Sequence, residues 1–146
     1  MQFLPPAIGP KKFRKYVAPI YDELAGMLAE RKAPLFVHMD GFLNPLKYDI
    51  QKSLVIGMDS FTPVPDCDMT VTEAIELWPE KIMWVNFPGT MHLASPREIK
   101  ETMEEILSAA GHSGRLQIQI SENVPLNCWR TSFPIIVETI ERFGKP

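Results

Sequence analysis

Cysteine is scarce in this chain of 146 residues. Its two thiols, Cys67 and Cys128, make neither a C-x-x-C pair nor a disulfide framework, a usage that suits a reducing compartment. An excess of basic charge is missing too. The net charge of −3 gives no concentrated positive surface of the kind nucleic acids require, and the cluster Lys11, Lys12, Arg14 and Lys15 is interleaved with apolar residues, as on a solvated helix face. No apolar run approaches the ~18 residues of a membrane span, and the N-terminus lacks a signal-peptide core. The expectation is a cytoplasmic protein with no nucleic-acid or membrane partner.

What is present is the composition of one folded unit. Hydrophobic residues at 45% and charged residues at 23% are ordinary for a globular chain, and the length suits a single domain, 1–146, rather than two. Fourteen prolines are the unusual count. They are dispersed, and Pro10, Pro63, Pro65, Pro88, Pro96 and Pro125 stand where strands end or helices begin.

The hydrophobic period changes along the chain. Phe13, Tyr16, Val17, Ile20, Tyr21, Leu24, Met27 and Leu28 recur at three- and four-residue steps, which predicts a leading helix over about 10–30, kinked or loosened by Pro19. A short apolar run, 33–38, then reads as a buried strand stopped by Asp40-Gly41. A weak helix follows over about 46–54, a second strand over 58–62, and a helix over 70–78 capped by Thr70 or Thr72. The third strand is 81–86. Ser95, Pro96 and Glu98 form a capping box with proline in the first turn, opening a helix whose buried stripe is Ile99, Met103, Ile106 and Leu107 and whose stop is Gly111. A fourth strand over 115–120 and a helix over 132–143 complete the order.

One helix followed by four βα units, spanning about 33–143, argues for parallel strands in an α/β fold. Covered on one side only, such a sheet keeps two raw edges and a bare face. Either helices cover both faces, or the sheet curls and pairs with another half.

In both cases ligands bind at the carboxyl ends of the strands. Those ends carry His38 and Asp40, then Thr62 with Asp66 and Asp68, then Asn86, then Glu122 with Asn123. In a strand, residues two apart share a side, so His38 and Asp40 are placed to share a ligand or a proton; taken alone, the pair reads more simply as an Asp40-Gly41 turn with His38 a satisfied core residue. Glu122 is a candidate metal ligand or general base, or a loop carboxylate on local amides. Asp66, Cys67 and Asp68 are either a cation site or a solvated loop. Asn86 can hold a ligand's carbonyl or make a turn. Trp129 and Arg130 offer a stacking plane and an anion contact, or pack the last helix. His92 and His112 fall in loop or helix-end contexts with no assigned role.

Taken together, Pro10-Lys11-Lys12-Phe13 through Tyr16 and Pro19, Val37-His38-Met39-Asp40-Gly41, Gly57-Met58-Asp59, Thr62-Pro63, Trp84-Val85-Asn86-Phe87-Pro88, Leu93-Ala94-Ser95-Pro96 with Glu98-Ile99, and Ser121-Glu122-Asn123-Val124-Pro125 resemble the uroporphyrinogen decarboxylase superfamily across the whole chain. The resemblance implies the C-terminal half of a (β/α)8 TIM barrel. Such barrels take ~250 residues, so the other strands are expected before Met1, in a longer gene product or in a second half with which this one pairs.

Two chemistries come with the resemblance. One is cofactor-free decarboxylation of uroporphyrinogen in tetrapyrrole (porphyrin) biosynthesis. The other is methyl transfer between a corrinoid and a thiol, with zinc held by a His-x-Cys pair after the fifth strand and a later cysteine after the eighth. Here His38 matches the histidine, Asp40 stands in the first cysteine's place, and Glu122 or Asn123 stands near the later one, with Cys128 beyond. Carboxylates make a harder site, compatible with zinc but also with magnesium or manganese. A polycarboxylate substrate calls for arginine and lysine, whereas the strand ends here carry Asp40, Asp66, Asp68 and Glu122, and the decarboxylase's late histidine has no match near Asn123. The implied function is therefore metal-assisted methyl transfer by the full barrel. Its metal ligands would be His38, Asp40 and Glu122, which also form the catalytic group. Thr62, Asn86, Asn123 and Trp129 would contact the small-molecule substrate, and a corrinoid protein would be the partner. Decarboxylation, needing no cofactor, is the alternative; a non-catalytic half-barrel that self-associates is the third expectation.

Overall fold

Pro19 has no amide hydrogen to donate to a carbonyl one turn back, and the leading helix is rewound ahead of it. In the computed structural model, which describes residues 8–120 and 124–144, the chain runs from α1 (Pro10–Lys12) through a π-helical segment (Phe13–Val17) into α2 (Ala18–Ala29), with the Ala18 amide donating to the Phe13 carbonyl five residues back. The expected loosening is a π-bulge.

The remaining elements are β1 (Phe36–His38), a 3-10 turn (Asn44–Leu46) leading into α3 (Lys47–Lys52), β2 (Gly57–Phe61), α4 (Val71–Leu77), β3 (Ile82–Asn86), a 3-10 turn (Gly89–Leu93), α5 (Pro96–Ala110), a 3-10 turn (Gly111–Ser113), β4 (Leu116–Gln119) and α6 (Trp129–Phe143). Thr70 and Ser95 cap α4 and α5, each in a reciprocal capping box with the glutamate three residues on. Two boundaries differ from expectation. α6 starts three residues before Ser132 and carries Pro134 inside it. Gly111 ends α5 in right-handed conformation (φ −60°), and the left-handed residue is Gly114 (φ 68°). Gly111 is needed for space instead: a Cβ there would lie 2.4 Å from Phe143 Cε1.

The four strands pair in sequence order, β1-β2-β3-β4, all parallel. One helix layer covers one face. Side chains from the helices join Val37, Met58, Met83, Val85, Leu116 and Ile118 in a single apolar cluster, and α5 packs between α4 and α6. Phe36, Trp84 and Gln117, of opposite strand parity, take no part in that cluster. Of the two arrangements open to the sequence, the structure has helices on one face and a curved sheet.

The curvature shows in contacts that skip a strand. β1 and β3 are two strand spacings apart, roughly 9.5 Å, yet the Phe36 and Trp84 ring centroids are 4.6 Å apart. They meet over Gly57, paired to Phe36 on one side and Ile82 on the other, where a Cβ would lie 2.0 Å from Phe36 Cδ1. Likewise, Gln119 of β4 reaches across β3 to Asp59 of β2. Contacts between alternate strands build the layers inside a barrel. These four strands with their helices are consistent with part of one.

The strand starts are tied from the helix side by two cations. Lys81, 4% exposed, donates through Nζ to the Val55 and Ser53 carbonyls at 2.7 and 3.2 Å; burial lowers its pKa, against the pull of Asp22. Arg115 donates to the Lys81, Trp78 and Ile75 carbonyls. No described helix is long and apolar enough to cross a membrane.

Gly57→Ala is expected to push Phe36 off Trp84, lowering the unfolding free energy in urea by about 1–3 kcal/mol and changing the near-ultraviolet circular dichroism. A change within about 0.5 kcal/mol, the range of an ordinary surface substitution, would show that the ring pair does not shape the sheet.

Candidate functional site

β1 ends at His38, and its register partner on β2 is Asp59. The His38 Nδ1 and Asp59 Oδ2 atoms are 3.0 Å apart. One of the two readings open for His38 paired it with Asp40, on the rule that residues two apart share a face. That rule stops with the strand: residue 40 lies beyond β1, next to Gly41 with φ 101°, and the Asp40 carboxylate accepts from the Cys67 thiol (Sγ–Oδ1 3.9 Å).

A bulge shapes the next step. Between the pairs Met58–Met83 and Phe61–Val85, β2 carries one more residue than β3, and Ser60 takes it up with φ 59°. The extra residue reverses the parity of the strand beyond it. Phe61 turns to the helix layer and meets Trp78 edge-on, while Thr62 moves to the open face beside Asn86. Asp59 and Ser60 both reach Gln119, whose Nε2 donates to Asp59 Oδ1 at 3.0 Å and Ser60 Oγ at 2.9 Å. Asn86 Nδ2 donates to Thr62 Oγ1 (3.3 Å), and Thr62 Oγ1 donates to the Ser60 carbonyl (3.3 Å). His38, Asp59, Ser60, Thr62, Asn86 and Gln119 thus form a polar layer at the carboxyl ends of all four strands, just beyond the aromatic layer of Phe36 and Trp84.

Exposure grades across this layer. The His38 side chain is 61% exposed and that of Asp59 30%, whereas Thr62 and Asn86 are buried. Of the residues expected to meet substrate, these two lie beneath the surface and bond to each other. Burial pushes the Asp59 carboxyl up, but hydrogen bonds from Gln119 and His38, the charge on His38 and the Ser60 hydroxyl outweigh it and hold the pKa below the usual carboxylate range.

The acidic loop after β2 is a latch. Asp66 accepts from the amide and hydroxyl of Thr90, in the turn after β3. Asp68 accepts from the amides of Leu43 and Asn44, in the turn after β1. These bonds are what the loop reading of the trio expects. Trp129 opens α6 with the Arg130 guanidinium 4.6 Å from its ring centroid. Arg130 also donates to Asn127 Oδ1 at 2.7 Å. His92, given no role by its sequence context, is buried between Phe87 and Phe133 with Nδ1 2.7 Å from Ser132 Oγ. Since Ser132 Oγ also donates to the Cys128 carbonyl (3.1 Å), it accepts from His92.

Glu122 and Asn123 lie outside the described residues. Among the described residues, no three His, Cys, Asp or Glu side chains gather into a metal-holding group. His38 is presented as a ligand would be, with Nδ1 on a carboxylate and Nε2 without a partner among the described residues, but Asp40 is engaged by Cys67, so the described donors do not by themselves make the implied site.

Asp59 and Gln119 were the residues missed. Their signals are a lone carboxylate inside Gly57-Met58-Asp59-Ser60-Phe61 and a strict alternation, Leu116-Gln117-Ile118-Gln119, in a parallel strand, where a doubly covered sheet would read as a continuous apolar run.

No protein family model matches the chain, and no curated protein matches it in sequence. Its fold is similar to that of a methyltransferase from Methanosarcina mazei, with a TM-score of 0.70 and 17% identity over 97% of this chain. The chain spans 40% of the length of that protein. At this identity the likeness establishes the fold: a parallel α/β unit matching part of a methyltransferase.

The Cys67 thiol is pushed up to about 11 by burial first, then by Asp40, Asp66 and Asp68, against an opposing hydrogen bond at Gly41. It should therefore be alkylated by iodoacetamide at pH 7.5 on the order of 100-fold more slowly than an ordinary thiol, with a rate that climbs toward pH 11. Rapid modification at neutral pH, followed by mass spectrometry of the Cys67 peptide, would refute this placement of the thiol.

Proposed function

We propose that this chain is part of a methyl-transferring barrel enzyme and that its polar layer forms one wall of the active-site mouth. The observation that carries this reading is the His38–Asp59 pair, standing at the strand ends of a fold shared with a methyltransferase. The resemblance to the uroporphyrinogen decarboxylase superfamily adds corrinoid and thiol chemistry, with a small-molecule substrate and a corrinoid protein as partners. In that reading His38 would hold zinc or another divalent ion, with Asp40 and Glu122 completing or supporting the site. The ion would supply Lewis-acid activation of the methyl donor or acceptor. The chain's own part is to orient His38 through Asp59 and to floor the cavity with Phe36 and Trp84. Asp40, Asp59, Asp66 and Asp68 around the mouth disfavour the alternative, decarboxylation of a polycarboxylate.

Metal analysis after preparation in excess zinc tests this reading. Wild-type protein should retain about one equivalent after dialysis, and His38→Ala should lose most of it. No stoichiometric metal in the wild type would remove the methyl-transfer mechanism and leave the barrel assignment standing.

A second reading is favoured by the surface. Tyr16, Ile20, Leu24 and Met27 lie along one side of the leading helix and are 43–57% exposed, next to a sheet whose β1 and β4 edges are both free in the described residues. A crossover helix packs over the strand before it as well as the strand after it, so the stripe fits another βα unit seated on the β1 edge. In this reading the chain alone is a non-catalytic half that pairs with a second copy or with further strands of a longer protein. Sedimentation equilibrium should give a mass of at least twice the chain's at micromolar concentration; a clean monomer would count against pairing through these edges.

A further inference from the structure

The polar layer specifies more than the location of a histidine. His38 sits on a short edge strand with a largely exposed side chain, a position where imidazole would ordinarily turn freely. Its ring is instead tied through Nδ1 to a carboxylate that is itself immobilised. Asp59 Oδ2 faces His38, while Asp59 Oδ1 receives Gln119 Nε2 at 3.0 Å and Ser60 Oγ at 3.5 Å. Gln119 Nε2 is in turn fixed on Ser60 Oγ. Three strands converge on one carboxylate, and Ser60, the extra residue of β2, joins them in left-handed conformation. Left-handed φ at a residue other than glycine, asparagine or aspartate is uncommon. Such strain persists where surrounding structure enforces it, characteristically at functional sites.

We infer that Asp59 is a positioning residue that locks His38 in the tautomer with its proton on Nδ1, so that Nε2 is presented at the strand ends as a fixed electron-pair donor. An ionised carboxylate only accepts hydrogen bonds, so the nitrogen facing it carries the hydrogen. In the neutral ring the other nitrogen then holds the lone pair. His38 Nε2 has no partner among the described residues, and β1 is an edge strand of the described sheet. What it receives is an electron-pair acceptor, either an acidic substrate proton or a cation. Gln119 and the Ser60 bulge act one step further out, by denying Asp59 any other rotamer. The assignment concerns the ring itself and holds whether or not the complete enzyme transfers a methyl group.

Long-range 1H–15N correlation spectra at pH 8.5, where an ordinary imidazole is neutral, read the tautomer of each of the three histidines directly, with His38→Ala identifying the His38 signals. Wild-type His38 should be mostly the Nδ1–H form. Asp59→Ala should return it to the pattern of a histidine in a disordered peptide, in which Nε2–H predominates. Asp59→Asn, which keeps an acceptor oxygen, should fall between them, and Gln119→Leu should weaken the preference without abolishing it. Circular dichroism establishes that each variant is folded. A solvent-like tautomer in the wild type overturns the inference, as does an unchanged His38 pattern in folded Asp59→Ala. If Asp59→Ala does not fold, the wild-type spectrum with Gln119→Leu still decides. Because the spectra are taken on the metal-free protein, a negative result here leaves the methyl-transfer reading intact, and a protein that binds no metal can still show the locked ring.

Discussion

The open face rests on a steric constraint at one position. For a four-stranded sheet to be concave enough that β1 touches β3, the strand between them must carry no side chain at the point of closest approach. Gly57 meets this requirement, and a methyl group there would overlap the Phe36 ring. The Phe36–Trp84 contact depends on it, and so does the geometry one layer up, where Gln119 spans β3 to reach Asp59. The helix layer forms independently, from side chains of the other parity.

The bulge at Ser60 supplies the second ingredient. A regular β2 would point Phe61 into the open face and Thr62 into the apolar layer, placing an aromatic ring where the polar network now lies. One extra residue corrects both orientations and adds Ser60 and Thr62 to the polar side chains at the strand ends. The resulting electrostatics are self-consistent. Partial burial alone would favour a protonated Asp59, yet Gln119, His38 and Ser60 keep it ionised, which is the state that can hold the ring.

Much of the fold was legible because its elements are locally encoded. The Ser95-Pro96-Glu98 start, the disturbance at Pro19 and the order of strands and helices all arise from periodicity and capping, which act over a few residues. The site was legible only to the level of which loops carry it. His38 was placed at a strand end, and the two-residue period that offered Asp40 as its companion does not reveal Asp59, which comes from the neighbouring strand. Asp59 lies 21 residues away in sequence, and Gln119 lies 60 residues from Asp59. Nothing local in a sequence announces register between parallel strands. Likewise, a β-bulge reverses facing without leaving a proline or glycine to mark it, here residing on a serine.

The latch formed by Asp66 and Asp68 gives the rim a mechanical character. The segment after β2 grips the turn after β3 through Thr90 and the turn after β1 through Leu43 and Asn44. Three neighbouring loops of the mouth are thus cross-braced into a collar, in a region where α/β proteins usually carry independently variable loops. A collar of this kind transmits displacement sideways: a group pressing on one loop loads its neighbours, and a lengthened loop must be absorbed by all three.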